Sequence, residues 1–275
     1  MRVSSKFSTV MLYLVMFLMC VIVLYPFCWM LVSSFKSSGA VMSSPPRFFP
    51  KAPTMDNYRT VIEAKIFRNF MNTVMIASIR TVITVYSSAL LGYIFAKFIF
   101  KGRETVFLCI IATMMVPWIV TIIPLYNIFN QMRLLNTYTA LILTGMVSSY
   151  GIYLVRSFMY QIDSAMIESA RIDGCGEFKI FNRIIIPLSV PVLSTLGIMT
   201  FLAAWDDYLW PFLVLISESK LTLTIALAKL AFKHYTIDYG PIIAGSVISN
   251  VPVIIVYLIL QRRIIEGISL GAVKG

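Results

Sequence analysis

The chain has 275 residues, of which 59% are hydrophobic and only 13% charged, with a formal net charge of +11 and a mean hydropathy of +0.86. A soluble domain carries about 25% charged residues, and no aqueous core of this length hides so much apolar surface, so the excess faces lipid. The basic residues stand singly between apolar runs and form no stripe, which excludes nucleic acid as a partner and puts a basic rim at a membrane surface.

Taken in chain order, windows 7–35, 105–132, 134–155, 184–205 and 239–261 lack Asp, Glu, Lys and Arg. Each supplies the ~20 residues that a membrane-crossing helix needs. A sixth window, 70–96, is equally apolar but contains Arg80. Arg2 and Lys6 precede the first window as in a signal peptide, yet it exceeds the ~7–15 residues of such an apolar region and no small-x-small site closes it. It therefore reads as a retained span. Pro26, Pro117 and Pro124 fall inside spans, where neighbouring helices can take up the freed carbonyls. The prediction is an all-α polytopic membrane protein of six transmembrane helices. Its parts are a first helix with an external loop (1–68), a five-helix core (69–262) and a tail (263–275).

Six spans put both ends on one side. With the ends inside, twelve Lys/Arg are cytoplasmic, ten external and Arg80 intramembrane, a small bias strengthened by the closeness of the cytoplasmic bases to helix ends. Two connections exceed simple turns. Residues 33–68 hold Pro45, Pro46, Pro50 and Pro53 among polar residues and read as an irregular external loop. Residues 157–187 carry charges at helical spacing and read as structure on the membrane surface. Cys20, Cys28, Cys109 and Cys175 have no CxxC spacing and read as small packing residues, and the lone His234 supplies no metal cluster.

The most informative segment is Glu168-Ser-Ala-Arg-Ile-Asp-Gly174-Cys-Gly-Glu-Phe-Lys-Ile-Phe-Asn-Arg-Ile-Ile-Ile-Pro187. Asp163 or Ser164 can cap a short helix through Ala170, and Asp173-Gly174 makes a turn in which glycine takes a positive φ. A second amphipathic helix follows, with Phe178, Phe181, Ile184 and Ile185 on one face. The product is a helix–turn–helix knob with charge outward, shaped to dock in a cleft of another protein. At the end of the fifth span, just past window 184–205, Trp205, Asp206, Asp207, Tyr208 and Trp210 cluster together. Carboxylates and aromatic faces suit a wet sugar path, and they suit an interfacial aromatic belt equally. Arg80, a charge inside a span, is a candidate translocation residue, with snorkelling or simple pairing as the alternative.

The segment 168–187 resembles the EAA loop of ABC importer permeases, in the order Glu-Ala-Ala, Asp-Gly, Ile-x-x-Pro. Leu91-Gly-Tyr-Ile-Phe-Ala-Lys before Phe100-Lys-Gly-Arg, Met115-Val-Pro with Ile123-Pro-Leu-Tyr, Trp205-Asp-Asp-Tyr-Leu-Trp-Pro211 and the end Gln261-Arg-Arg-Ile-Ile-Glu-Gly-Ile-Ser-Leu-Gly-Ala-Val-Lys-Gly275 are similar to the carbohydrate-uptake branch, in the pattern of the maltose-type second permease subunit. Ser169 and Cys175 stand where alanine is usual, Asp163 replaces a common proline, and Asp207 adds an acid at a variable place beside Asp206.

The resemblance implies the type I ABC importer permease fold in the bacterial inner membrane, with both termini cytoplasmic. It assigns Glu168, Ala170, Asp173 and Gly174 to coupling with a cytoplasmic ATPase dimer, and Gly271, Lys274 and Gly275 to a tail that touches the same ATPase. A homologous permease subunit would complete a heterodimeric pore, and an extracellular solute-binding protein would deliver a carbohydrate-like solute. The chain has no G-x-x-x-x-G-K-[ST] phosphate loop, so ATP and Mg belong to the partner and this chain binds no cofactor. A membrane enzyme is the competing class, but the adjacent Asp206 and Asp207 would diverge by ~100° on a helix, poor geometry for an acid–base pair. A lone secondary transporter would call for an inverted hydropathy repeat, which the chain lacks.

Overall fold

The computed structural model describes residues 6–233 and 236–272. Almost all of it is helical, apart from a two-residue antiparallel pair, Phe232–Lys233 with Thr236–Ile237. The main helices are α1 (Lys6–Ser33), α2 (Asp56–Glu63), α3 (Ile66–Lys97), α4 (Arg103–Ala112), α5 (Trp118–Gln131), α6 (Tyr138–Leu143), α7 (Ser149–Met159), α8 (Ser164–Ile172), α9 (Glu177–Ile180), α10 (Val190–Trp205), α11 (Leu209–Val214), α12 (Leu223–Ala231) and α13 (Tyr239–Ala272), with single turns at Ser38–Val41 and Ile186–Leu188. The chain forms two compact units, one of residues 1–67 with 226–251, the other of residues 68–225 with 252–275.

Among the described residues three helical stretches are long and apolar enough to cross a membrane: Ser8–Ser33, Ile66–Lys97 and Tyr239–Leu258. Two further pairs qualify when each bent pair counts as one span. Arg103–Met115 and Trp118–Gln131 meet at 101°, and Glu177–Leu188 and Val190–Trp205 at 79°. Pro117 explains the first bend. It has no N–H to give, and it drives Val116 out of helical space to φ −84°, ψ 116°. The window 134–155, expected as one span, is split into α6 and α7 by an interruption at 144–148. The freed carbonyls are taken up from α3. Thr84 donates its hydroxyl to the Gly145 carbonyl, and Ser87 donates to the Met146 carbonyl at 2.5 Å. Ser148 then caps α7 by accepting from Gly151 N–H at 3.0 Å.

In the unit of residues 1–67 and 226–251, α1 is apolar on every face and exposed over residues 10–28, as a helix in lipid should be. The loop after it is tied rather than loose. The buried Lys36 donates Nζ to Ser33 Oγ at 3.0 Å and to the Arg47 carbonyl at 2.7 Å, and lies 4.2 Å over the Trp29 ring. Asn57 of α2 donates to the carbonyls of Ser34 and Lys36, both at 2.7 Å.

In the unit of residues 68–225 and 252–275, α3 runs past two apolar clusters. Ile76 joins Phe129, Ala140, Leu141, Trp210, Val214 and Ile225. Thirteen residues later, ~20 Å along the axis, Ala89 and Tyr93 join Val155, Met159, Ile167, Ile180, Phe181 and Leu196. α3 and α7 touch through small residues. A side chain on Gly92 would lie 2.8 Å from Val155 Cγ1, and one on Gly151 would overlap Ser88 Oγ. This is the close backbone approach by which helices associate where no hydrophobic drive exists.

Gly92→Leu is expected to weaken this seam by about 1–3 kcal/mol through overpacking and to lower the melting temperature of the purified protein. Gly197→Ala has room, with Val85 Cγ2 at 3.6 Å, and should melt as wild type. Scanning calorimetry of both variants in detergent checks the contrast.

Candidate functional site

The surface knob follows from its residues. The Asp163 carboxylate caps α8 by accepting from Ala165 N–H at 2.9 Å. Ile167 and Ala170, three apart and so on one face, are buried to 2% and 7% exposure. They sit against Tyr93, Val155 and Met159 and fix α8 to the bundle. The helix ends as Gly174 N–H bonds the Arg171 carbonyl at 3.0 Å and Cys175 N–H the Ala170 carbonyl at 2.9 Å. That end requires Gly174 at φ +77°, the left-handed conformation glycine adopts freely. No atom lies within 4 Å of where its side chain would be, so the demand is on the backbone rather than on space.

Glu168, Asp173 and Gly174 are exposed, as is Ile172 at 86%. Of the four residues assigned to coupling, three therefore stand on the surface, and Ala170 holds the helix down. Glu177 joins the pieces. Arg171 Nε donates to Glu177 Oε1 at 2.6 Å, and the Tyr93 hydroxyl donates to Oε2 at 3.0 Å. The Glu177 carboxylate also holds the Arg171 guanidinium above its ordinary pKa. Lys97, at the end of α3, donates to the Ile162 carbonyl at 2.5 Å, just ahead of the cap.

After α9 the chain takes a wide turn, Phe181–Ile185, with a π-helical pattern. Ile180, Phe181 and Ile185 are each at most 1% exposed. Five-residue bonding aligns positions 180 and 185 on one buried face, which an α-helix would separate.

The second feature is a cleft of about 350 Å³ between the two apolar clusters. Arg80 and Thr84 of α3 form one wall, the interrupted segment 144–148 another, and Tyr150, Leu196, Met199, Thr200 and Ala203 complete it. Non-helical backbone at this depth is tolerated where it lines such a space. Arg80 Nη1 donates to Asp207 Oδ2 at 3.3 Å, the two side chains being 20% and 24% exposed. Arg80 Nε is buried without a partner, lying against Gly145, where any side chain would overlap it.

The aromatic cluster divides. Trp205 and Trp210 are each 1% exposed. Trp205 packs between Phe70 and Phe201, while Trp210 packs against Trp118 and Phe129 and donates Nε1 to the Ala140 carbonyl at 3.1 Å. Their ring faces are covered by protein, so neither is the open stacking surface expected of a sugar path. Asp206 and Tyr208 are exposed, and Tyr208 stacks on Phe212 at 5.4 Å.

Residues 88–268 match the family model described as the binding-protein-dependent transport system inner membrane component. The chain belongs to this family. Among curated relatives it is 34% identical to the arabinooligosaccharides transport system permease protein AraQ of Bacillus subtilis, covering 100% of both chains. It is 30% identical to the lactose transport system permease protein LacG of Rhizobium radiobacter, covering 91% of each. Against the trehalose/maltose transport system permease protein MalG of Thermococcus litoralis the figures are 30% and 94% of each. A chain of a bacterial ABC transporter involved in the import of the acidic polysaccharide alginate superposes with TM-score 0.81 at 23% identity, covering 95% of this chain and 99% of that one. That likeness shows the fold. The resemblance read from the motifs is borne out, and the chain is a permease, a transport subunit and not an enzyme.

In this permease the tail residue Gly271 lies in the backbone of α13, and Lys274 and Gly275 lie outside the described residues. Sequence reading gave no role to Glu177, Thr84, Gly145 or Thr200. The only signal for Glu177 was its charge opposite that of Arg171, six residues away and masked by the intervening turn. Glu177→Gln should leave the permease inserted but loosen the tie of α8 to α9 and α3. Hydrogen exchange of amides 164–172 is then expected to quicken several-fold, while exchange at 86–96 stays unchanged.

Proposed function

We propose that the permease forms half of the pathway for a carbohydrate-like solute and is driven by ATP hydrolysis on a separate cytoplasmic ATPase dimer that carries the Mg. A homologous permease subunit completes the pore as a heterodimer, and an extracellular solute-binding protein delivers the solute in the inner membrane of a bacterial cell. The observation that carries this is the knob. Glu168, Asp173 and Gly174 are presented outward from a helix whose other face is sunk into the bundle, so a push on the surface moves α3, α7 and α10 together. The names of the relatives, transport system permeases for arabinooligosaccharides, lactose and trehalose/maltose, support a sugar. The cleft with Arg80 and Asp207 belongs to the solute path, and Gly271, Lys274 and Gly275 to the ATPase-contacting tail.

Glu168→Lys reverses the charge offered to the ATPase. Gly174→Pro removes the N–H that bonds Arg171 and locks φ near −65°, against the observed +77°. Both variants should insert normally and lose most solute-stimulated ATP hydrolysis in reconstituted complexes, and unchanged stimulation would overturn the coupling role.

The same reading requires residues 157–187 and both termini to be cytoplasmic. In a background lacking Cys20, Cys28, Cys109 and Cys175, Ser38→Cys should be labelled from outside intact cells by an impermeant thiol reagent. Ser169→Cys should be labelled only after the membrane is opened. The reverse pattern would sink both topology and coupling.

A further inference from the structure

The cleft wall carries hydroxyls at Thr84, Thr144, Ser148, Tyr150 and Thr200, and one cation, Arg80. A lone guanidinium at this depth would be expensive and would hold any anion that entered, since charge interactions strengthen as the dielectric falls. Asp207 meets it at 3.3 Å. Both partners are fixed. Gly145 leaves room for the Arg80 side chain where any larger residue would displace it, and the Asp207 carbonyl accepts the Thr224 hydroxyl at 3.0 Å.

We propose that Asp207 sets the charge selectivity of the cleft: by cancelling Arg80 it leaves an electrically neutral wall of hydroxyls and apolar side chains that admits uncharged polyhydroxylated solutes and gives anionic ones no hold. The inference rests on the cleft being part of the solute path. Asp207, and not Asp206 beside it, is the specificity-determining acid. Neither residue need touch the solute for this to operate, because the pair acts through the local potential.

The test needs no solute. In the assembled transporter, within the background lacking the four native cysteines, Thr200→Cys reports on the cleft through its reaction with a cationic and an anionic methanethiosulfonate of similar size. The readout is the anionic-to-cationic rate ratio. Asp207→Asn uncovers Arg80 and should raise that ratio about tenfold, and Arg80→Gln uncovers Asp207 and should lower it about as much. The double variant Arg80→Gln/Asp207→Asn should return to the wild-type ratio. Reaction with both reagents at a ratio that neither single variant moves would overturn the compensation while leaving the path intact. No reaction with either reagent in the wild-type pair would instead overturn the path itself. Should the single variants fail to assemble, assembly of the neutral double variant supports charge balance as the requirement, and its failure overturns it.

Discussion

Backbone carbonyls that lose their helical partners within a hydrocarbon layer have to be satisfied by the protein itself, and α3 supplies much of that satisfaction here. Thr84 and Ser87 bond the carbonyls of Gly145 and Met146, so the α6–α7 interruption exists because α3 presents hydroxyls at that depth. The same helix carries Arg80 a turn before Thr84, and its Ala89 and Tyr93 form part of the bed for α8. Cleft wall, broken span and surface knob are thus all referenced to one helix. The small residues where α3 meets α7 keep that helix close enough for the hydroxyls to reach.

This arrangement says how force can travel. Ile167 and Ala170 are buried against residues of α3 and α7, and Glu177 ties Arg171 to Tyr93. The Arg171–Glu177 pair is half exposed and worth at most ~1 kcal/mol by itself, so the anchoring is done mainly by apolar burial, with the pair fixing orientation. Tightly packed elements shift between discrete arrangements instead of bending continuously. On the proposed coupling, a displacement of α8 would reach the level of the cleft as movement of α3, without a relay of side chains between them.

Much of this was legible in the sequence, for reasons that also mark where legibility stopped. Charge-free windows report hydrocarbon-facing length, so they found the apolar segments, and the cap at Asp163 and the turn at Gly174 follow from local backbone chemistry. Window 134–155 reads as one span because hydropathy does not register hydroxyls on another helix. Trp205 and Trp210 resembled a stacking surface because composition does not tell a ring's face from its surroundings. The Arg80–Asp207 pair joins residues 127 apart, and no local period links them.

The wide turn at Phe181–Ile185 has a consequence for how this segment can change over time. It brings Ile180, Phe181 and Ile185 onto one buried face by holding one residue more than a regular turn would. Loss of a single residue there would restore ordinary helical winding and leave Ile180 and Ile185 four apart, still on one face, whereas gain of a residue would carry Ile185 away from the core by roughly a quarter turn. The surface side chains of 181–185 are free to drift, and homologous chains should tolerate loss of one residue across this stretch more readily than gain of one.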